Sequence, residues 1–381
     1  RTKLALNKHI GIAEIIRDFR KGGLSIASIN VHRPALNDVL LSYAGKESLE
    51  TVKGYHRQRR LGGKNVIEVK SLTKKFGNFT AVDHVSFDVK EREIFGLLGP
   101  NGAGKSTTTK MLATLLKPTE GTAIIDGHDL VKEPSRVRKS IGMVFQDRST
   151  DRYLTGRQNL DYHGRMYNMA RDERERKIDE ILELMELKGK ENTVLDKVPE
   201  NVRRRFEVGR GFMAYPKVVF LDEPTIGFDI GARSDLWKQI IEAKEKENVT
   251  VILTTHYIDE ADYLCDRVAI IDQARIVAIG TPEELKAQVG EDLIEVQLEG
   301  DKEGFMDSVK KLPWVKSVEE RGNSLVLNVE KGEGRIEDLI ELSEGITMID
   351  EHEPSLEDVF IHFTGRTIRE AEGEVKQRRR R

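Results

Sequence analysis

Residues 94–107 read Ile-Phe-Gly-Leu-Leu-Gly-Pro-Asn-Gly-Ala-Gly-Lys-Ser-Thr, a short apolar run that leads into a glycine-rich turn and a predicted helix. Glycines at such a turn let backbone N–H groups close around a phosphate. Lys105 supplies positive charge for the phosphates, and Ser106 offers a hydroxyl to Mg²⁺. The pattern predicts binding of a nucleoside triphosphate with Mg²⁺. The residues predicted to bind the nucleotide are Gly99, Asn101, Gly102, Ala103, Gly104, Lys105, Ser106 and Thr107.

Three further apolar runs end in polar residues. Residues 218–221 lead to Asp222 and Glu223, residues 250–255 lead to His256, and residues 141–145 lead to Gln146. Because the carboxyl ends of parallel strands meet at one edge of a sheet, we expect these side chains to lie close together. In ATPases with a P-loop, the first acid helps to hold Mg²⁺ and the next polar group handles the attacking water. Taken singly, each residue also fits a structural role at a strand end.

The order of these motifs resembles that of the ATP-binding cassette (ABC) ATPases, over about residues 64–285. A tail at 353–360, Glu-Pro-Ser-Leu-Glu-Asp-Val-Phe, extends the resemblance to drug-export ATPases of the daunorubicin-resistance type. The resemblance implies an α/β fold, with a P-loop NTPase core, a helical subdomain at about 147–215 and a small C-terminal α+β domain. It implies ATP and Mg²⁺ as cofactors.

The same resemblance implies individual roles. Glu223 would polarise the attacking water, and His256 would contact the γ-phosphate. Ser106, Gln146 and Asp222 would form the Mg²⁺ site, with Gln146 also sensing a membrane partner. Phe76 would stack on adenine, although a phenylalanine beside Gly77 also fits an ordinary core position. The segment 225–229, which ends at Asp229, resembles the family's D-loop.

The signature motif departs from the family pattern. The family has Leu-Ser-Gly-Gly-Gln, or a near variant, before an arginine-rich helix, and here the five positions are Val198, Pro199, Glu200, Asn201 and Val202. The serine hydroxyl is lost, Pro199 has no N–H, and Glu200 adds negative charge where the family binds the γ-phosphate held by the other subunit. The departure predicts asymmetric catalysis, with poor hydrolysis in a homodimer and turnover beside a partner that has an intact signature.

Composition restricts the partners. The 62 basic and 65 acidic residues nearly cancel, so no overall positive field recruits nucleic acid, and none is expected as a ligand. The single cysteine, Cys265, allows no disulfide within the chain. No apolar run reaches the roughly 18 residues that a membrane span requires. A transporter built with this chain would therefore need a separate transmembrane permease subunit, with the chain at the cytoplasmic face of the membrane.

The chain is predicted to contain four regions, namely 1–62, 63–288 (the ATPase domain), 289–366 (the α+β domain) and a basic tail at 367–381, whose last four residues, 378–381, are expected to be disordered. The first region contains an internal repeat, since residues 3–7, 33–40 and 43–46 are similar to 324–328, 353–360 and 363–366. We expect residues 1–62 to be the end of a preceding copy of the same module. That upstream module is a candidate for the second ATPase domain of a pair, whether homo- or heterodimeric.

Three functions follow from these patterns. The first is the motor subunit of an ABC transporter, with export as the expected direction. The second is a soluble ABC-type nucleotide switch, and the third is a hydrolysis-impaired protein that binds ATP as half of an asymmetric dimer. The drug-export type of tail favours the first, and the signature supports the third.

Overall fold

The structure is a computed structural model that describes residues 63–290, 292–322, 324–330, 335–343 and 345–378. The repeat predicted in residues 1–62 lies outside these described residues. The strands are β1 Asn65–Phe76, β2 Phe79–Lys90, β3 Ile94–Leu98, β4 Glu120–Ile125, β5 His128–Asp129, β6 Ile141–Val144, β7 Val218–Asp222, β8 Thr250–Thr255, β9 Arg267–Asp272, β10 Arg275–Gly280, β11 Asp292–Leu298, β12 Val315–Arg321, β13 Ser324–Val329 and β14 Ile346–His352.

Helices separate most of these strands. They are α1 Lys105–Leu112, α2 Pro134–Ser140, α3 Gly156–Met166, α4 Arg171–Leu184, α5 Glu200–Gly211, α6 Ile230–Glu247, α7 Ile258–Leu264, α8 Pro282–Val289, α9 Lys302–Val309, α10 Ile336–Leu342, α11 Leu356–Thr364 and α12 Ile368–Arg378, with a short 3₁₀ turn at Leu195–Lys197. Among the described residues, no helix is both long enough and apolar enough to cross a bilayer.

A six-stranded sheet in the order β10-β9-β3-β8-β7-β6 forms the centre of the nucleotide-binding unit. The strands from β9 to β6 pair in parallel, and β10 pairs antiparallel with β9. Strands β3, β7 and β8 are buried at every residue, because helices and loops cover both faces of a parallel sheet. Their carboxyl ends meet at one edge, which brings the P-loop, Asp222 and His256 together.

A second, antiparallel sheet in the order β2-β1-β4-β5 shares a hydrophobic core with the first. Phe87 of β2 stacks on Phe95 of β3, with ring centroids 5.1 Å apart. Ala81, near the start of β2, lies against the P-loop, because its carbonyl oxygen would be 2.5 Å from a Cβ at Gly104. The start of β2 at Ala81 and Val82 therefore lies beside the P-loop.

Helices α3, α4 and α5 pack together within the predicted helical subdomain. Thr155 caps α3 in a capping box with Gln158, which satisfies exposed N–H groups at the helix start. The ring of Phe206 in α5 leaves no room for a side chain at Gly156, since a Cβ there would lie 2.2 Å from the ring. This close approach holds the start of α3 against α5.

Residues 286–359 form a separate compact unit. Its antiparallel sheet has the order β12-β13-β11-β14, and its core contains Ile294, Leu327, Ile349, Trp314 and Leu339. The strands and the helices α10 and α11 correspond to the α+β pattern predicted from the sequence.

The predicted boundary at residue 366 differs from the structure. Residues 360–378 belong with the nucleotide-binding unit. Arg366 forms a 2.9 Å ion pair with Asp272 at the end of β9, and Ile368 and Ala371 are buried. Residues 368–378 of the predicted basic tail form α12, whereas 379–381 lie outside the described residues. Two buried apolar side chains and the partly buried ion pair stabilise this helix against the unit.

Candidate nucleotide site

The P-loop joins β3 to α1 and depends on two glycines. A Cβ at Gly99 would lie 2.1 Å from the carbonyl oxygen of Ile271, so only glycine fits there. Gly104 has φ +112 and caps the start of α1, in a conformation that other residues rarely adopt. The close approach of neighbouring strands and this left-handed turn together shape the loop.

Lys105 is buried at the start of α1. Its ammonium donates to the carbonyl oxygens of Gly99 at 2.6 Å and Pro100 at 3.1 Å. Burial lowers the pKa of Lys105, although the carboxylates of Glu223 and Asp222 act in the opposite direction. A bound triphosphate would favour the charged ammonium further, since an opposite charge stabilises it.

Ser106 and Asp222 form an oxygen-rich pair beside Lys105. The Ser106 hydroxyl lies 2.9 Å from Oδ1 of Asp222, and the Thr254 hydroxyl lies 2.5 Å from the same oxygen. Hydroxyl and carboxylate oxygens suit Mg²⁺, which in nucleotide sites takes one or two protein ligands together with phosphates and waters. The residues present therefore fit the predicted metal.

Glu223 is the point on which the other predicted groups converge. Its Oε2 lies 3.3 Å from Nδ1 of His256 and 3.4 Å from Nε2 of Gln146, and its Oε1 lies 3.8 Å from Nζ of Lys105. Burial alone would raise the pKa of Glu223, but His256, Lys105 and Arg204 outweigh burial and lower the pKa. The carboxylate therefore stays ionised near neutral pH and can accept a proton.

Comparisons with known proteins agree with this geometry. Residues 82–226 match the ABC transporter family, and residues 280–364 match the family described as "ATP-binding protein DrrA1-3-like, C-terminal domain". The chain is 32% identical over 314 residues to the linearmycin resistance ATP-binding protein LnrL of Bacillus subtilis, covering 80% of this chain and all of that protein. It is 34% identical over 311 residues to the daunorubicin resistance ATP-binding protein DrrA3 of Streptomyces coeruleorubidus, covering 80% of this chain and 98% of that one.

This chain belongs to the ATP-binding proteins of ABC transporters. The resemblance seen in its motifs, including the drug-resistance type, is thereby confirmed. The chain is also 41% identical over 273 residues to a probable multidrug ABC transporter ATP-binding protein, YbhF, of Escherichia coli, covering 71% of this chain. It spans about half of that relative, since the match covers 47% of YbhF.

Solved structures confirm the predicted P-loop NTPase fold. An ATP-binding subunit of an ABC transporter is similar with a TM-score of 0.53 and 27% identity, over 58% of this chain and 92% of that one. A dimeric ATP-binding cassette in a post-hydrolysis state, bound to ADP and phosphate, is similar with a TM-score of 0.52 and 26% identity, over 56% of this chain and 98% of that one.

Phe76 is the last residue of β1, at the turn between β1 and β2. Its side chain is 49% exposed, so the alternative of an ordinary core aromatic is wrong. The ammonium of Lys74 lies 5.0 Å from the centre of its ring. An exposed ring at this place leaves a face free for a base, as the ABC family pattern implies.

The signature segment of this ABC protein begins α5. Pro199 is the N-cap, so Glu200, Asn201 and Val202 form the first helical turn. The Glu200 carboxylate accepts from Nε of Arg148 at 3.2 Å and from Nη2 at 2.8 Å. It is half exposed. The repulsion expected between Glu200 and a triphosphate is therefore reduced, both by this arginine and by solvent.

The D-loop residue Asp229 has a structural contact. Its Oδ1 accepts from the backbone N–H of Ala232 at 2.9 Å and caps α6. Thr225, at the other end of the D-loop, donates to the buried carboxylate of Glu260 at 2.9 Å. These contacts hold both ends of the loop that follows Glu223.

Two residues beside the site were missed by the sequence analysis. Glu372 of α12 accepts a hydrogen bond from the backbone N–H of Asn101 in the P-loop, at 3.2 Å. Arg204 of α5 donates to the backbone around Glu223. No pattern marked Glu372, which lies in the predicted basic tail, and Arg204 was one of three adjacent arginines with nothing to distinguish it.

Proposed function

We propose that this chain binds and hydrolyses ATP, and that dimer closure driven by ATP powers a transporter whose membrane-spanning part is a separate subunit. The observation that carries the proposal is the convergence of Lys105, Gln146 and His256 on the carboxylate of Glu223, beside Ser106 and Asp222. This is an arrangement suited to placing a water in line with a terminal phosphate.

In the proposed reaction, the P-loop N–H groups and Lys105 orient the phosphates. Ser106 and Asp222 would hold Mg²⁺, which neutralises charge on the phosphate oxygens when bound. Glu223 orients a water and accepts its proton as the water oxygen attacks the γ-phosphorus. The bond between that phosphorus and the bridging oxygen breaks, and the bridging oxygen leaves with ADP. His256 lies beside Glu223, where it can contact the γ-phosphate.

Two substitutions test the site. Lys105→Ala should weaken ATP binding strongly, whereas Lys110→Ala, an exposed lysine of the same helix, should leave it unchanged. Glu223→Gln should keep ATP affinity and reduce turnover by at least about 100-fold, because the shape is kept and the base is lost. Calorimetry gives the affinities, and phosphate release gives the rates. ATP affinity that survives Lys105→Ala, or parental hydrolysis in Glu223→Gln, would contradict the assignment.

A groove supports the proposal of a membrane partner. It has a volume of about 420 Å³ and lies between α3, the segment after β6 and the end of α5. Tyr162 and Met166 line it, and they are 62% and 65% exposed. An exposed apolar groove is suited to an amphipathic helix of a partner. The groove is also lined by Phe145 and Ser149, which lie in the segment 145–150 that contains Gln146.

The partner proposal is tested with membrane vesicles from the source cells. Tyr162→Asp with Met166→Asp should abolish sedimentation of the chain with the vesicles, whereas Tyr153→Asp, at an exposed tyrosine outside the groove, should not. ATP affinity should stay the same in both. Wild-type chain that remains in the supernatant with and without ATP would instead support a soluble nucleotide switch.

The names of the relatives extend the proposal. Because LnrL and DrrA3 are named for resistance to linearmycin and daunorubicin, we propose that the transporter exports molecules of this antibiotic kind, with the chain at the cytoplasmic face of the membrane.

A second candidate function rests on Glu200 at the start of α5. It is that of the hydrolysis-impaired half of an asymmetric ATPase pair.

A further inference from the structure

Arg204 has every donor of its guanidinium engaged. Nε donates to the carbonyl oxygen of Pro224 at 2.9 Å, and Nη2 donates to those of Asp222 and Glu223, both at 3.1 Å. Nη1 donates to the carbonyl oxygen of Phe145 at 2.6 Å and to Oε2 of Glu207 at 2.8 Å. The side chain is only 5% exposed. Five donors in a rigid fork thus meet five acceptors on three separate segments.

The turn that Arg204 holds is conformationally unusual. Glu223 has φ +47, in the left-handed region that a residue with a side chain rarely adopts. Its N–H donates to the carbonyl and to the hydroxyl oxygen of Thr254, both at 3.1 Å. Its carbonyl oxygen accepts from Arg204. Thr254 and Arg204 therefore hold Glu223 from both sides, and the direction of its carboxylate depends on this backbone conformation.

Arg204 also connects this turn to the segment after β6. Glu207, one helical turn along α5, accepts from Arg204 with Oε2 and from the backbone N–H of Ser149 and the hydroxyl of Thr150 with Oε1, at 3.2 and 3.1 Å. Phe145, whose carbonyl also accepts from Arg204, precedes Gln146 and lines the groove described above. One arginine therefore contacts the backbone on both the Gln146 side and the Glu223 side.

The adjacent arginines have different contacts. Nε of Arg203 donates to the carbonyl oxygen of Leu195, at 3.2 Å. Arg205 pairs with Glu186 at 3.0 Å and with Asp235 at 3.4 Å. The contacts described for these two arginines do not involve the turn at Glu223, and Arg205 provides a matched control on the same helix.

We propose that Arg204 is a positioning residue that holds the Glu223 carboxylate in its hydrolytic orientation and links it to the segment 145–150. The proposal rests on the proposed ATPase function. It assigns Arg204 to the chemical step and not to ATP binding, because its contacts are to the backbone around Glu223 and not to the P-loop. Lysine cannot replace it, since one ammonium with three donors cannot reach five acceptors spread across a planar fork.

The test compares Arg204→Lys with Arg205→Lys under single-turnover conditions, with the chain in excess over ATP. Arg204→Lys should reduce the hydrolysis rate at least 30-fold and leave the Kd for ATP within threefold, whereas Arg205→Lys should change neither beyond twofold. Thermal unfolding of both variants accompanies the kinetics. Wild-type hydrolysis in a folded Arg204→Lys variant, or rate and affinity falling together with the melting temperature, would overturn the proposal.

A milder variant keeps the test decisive if Arg204→Lys does not fold. Glu207→Gln retains an oxygen that can accept from Arg204 but loses the negative charge of the carboxylate. It should slow hydrolysis at least threefold while the Kd for ATP stays unchanged. An unchanged rate of hydrolysis would count against the proposal. Glu223→Gln, measured in parallel, separates the two hypotheses. If it hydrolyses ATP normally, the proposed function fails; if it is inactive while Arg204→Lys is normal, only the role of Arg204 fails.

Discussion

Phe76 illustrates what burial decides at the scale of one residue. Its ring is exposed, and its cross-strand neighbour in the β1–β2 hairpin is Phe79, which is also exposed. Directly opposite residues of an antiparallel pair lie on the same face, so Phe79 is a close comparison for Phe76. The sequence pattern alone left stacking and core packing open for Phe76, and exposure removes the second.

Phe76→Ala should weaken ATP binding by about 5- to 150-fold, because stacking of a base on an aromatic ring contributes ~1–3 kcal/mol. Phe76→Trp should retain most of the affinity, since it keeps an aromatic face. Phe79→Ala is the matched control, and we expect its affinity to equal that of the unmodified chain. Titration with ATP in a calorimeter distinguishes these outcomes. Equal losses in the two alanine variants would mean that hairpin stability, and not stacking, determines the affinity.

At the scale of the element, α5 combines several contacts. Its first turn carries Glu200 in place of a signature glycine, and its second turn carries Arg204 and Glu207, which contact the segments around Glu223 and Gln146. A negative side chain at a helix N-terminus is favourable to the helix itself. Glu200 therefore stabilises α5, but it competes with a phosphate for the N-terminus of this helix.

Helix α3 contains a histidine whose charge state affects stability. Burial, together with the nearby charge of Arg210, lowers the pKa of His163 to about 4. Because an unfolded histidine titrates near ~6.5, the unfolded chain takes up this proton first as the pH falls. The stability that depends on neutral His163 is complete above about pH 6.5 and is lost progressively between that pH and about 4.

His163→Gln should therefore flatten the loss of stability between pH 6.5 and 4, since a neutral amide has no proton to gain. His362→Gln, at an exposed histidine, should leave the pH dependence as it is in the unmodified chain. Urea unfolding at pH 7.0, 6.0 and 5.0 measures the free energy of unfolding for each protein. A parallel pH dependence in His163→Gln and the unmodified chain would show that other groups cause the loss.

At the scale of the whole molecule, a P-loop half that carries the family's residues and an altered signature half occur in one chain. If each ATP is held by the P-loop of one subunit and completed by the signature of the other, a homodimer would pair every intact half with an altered one. The ion pair between Glu200 and Arg148 reduces the charge that a partner's ATP would meet, but the serine hydroxyl is still lost. We therefore expect slow hydrolysis from the chain alone.

Rebuilding the signature with Pro199→Ser, Glu200→Gly, Asn201→Gly and Val202→Gln together should raise turnover at least ~10-fold, equivalent to ~1.4 kcal/mol of barrier. The same four changes combined with Glu223→Gln form the control and should give no gain. Steady-state phosphate release at saturating ATP is the measurement. An unmodified chain that already turns over at about 1 s⁻¹ or faster would contradict the asymmetry.

The C-terminal residues of the chain contact the P-loop. After the 286–359 unit, residues 360–378 return to the nucleotide-binding unit, and Glu372 accepts from the P-loop N–H of Asn101. A phosphate and this carboxylate would compete for that donor. Chain segments far apart in sequence thus meet at the nucleotide site.

Sequence by itself determined the local parts of this protein. The P-loop, the acidic pair at Asp222 and the histidine after β8 are short patterns whose chemistry depends on residue type and spacing, and parallel-strand topology predicts that they meet. The fold class follows from the same alternation of apolar strands and helices. The ABC family could be recognised because these motifs occur in a fixed order.

Only the tertiary structure decided which charges meet across the fold. Glu200 pairs with Arg148, Arg204 contacts the backbone at Glu223, and Glu372 lies on the P-loop. These partners are separated by 52, 19 and 271 residues. Exposure of Phe76 and burial of Ile368 and Ala371 in α12 were likewise unpredictable. Spacing along the chain determines which helices and strands form. The packing of elements distant in sequence determines which polar groups are removed from water, and those groups require hydrogen-bond partners within the fold.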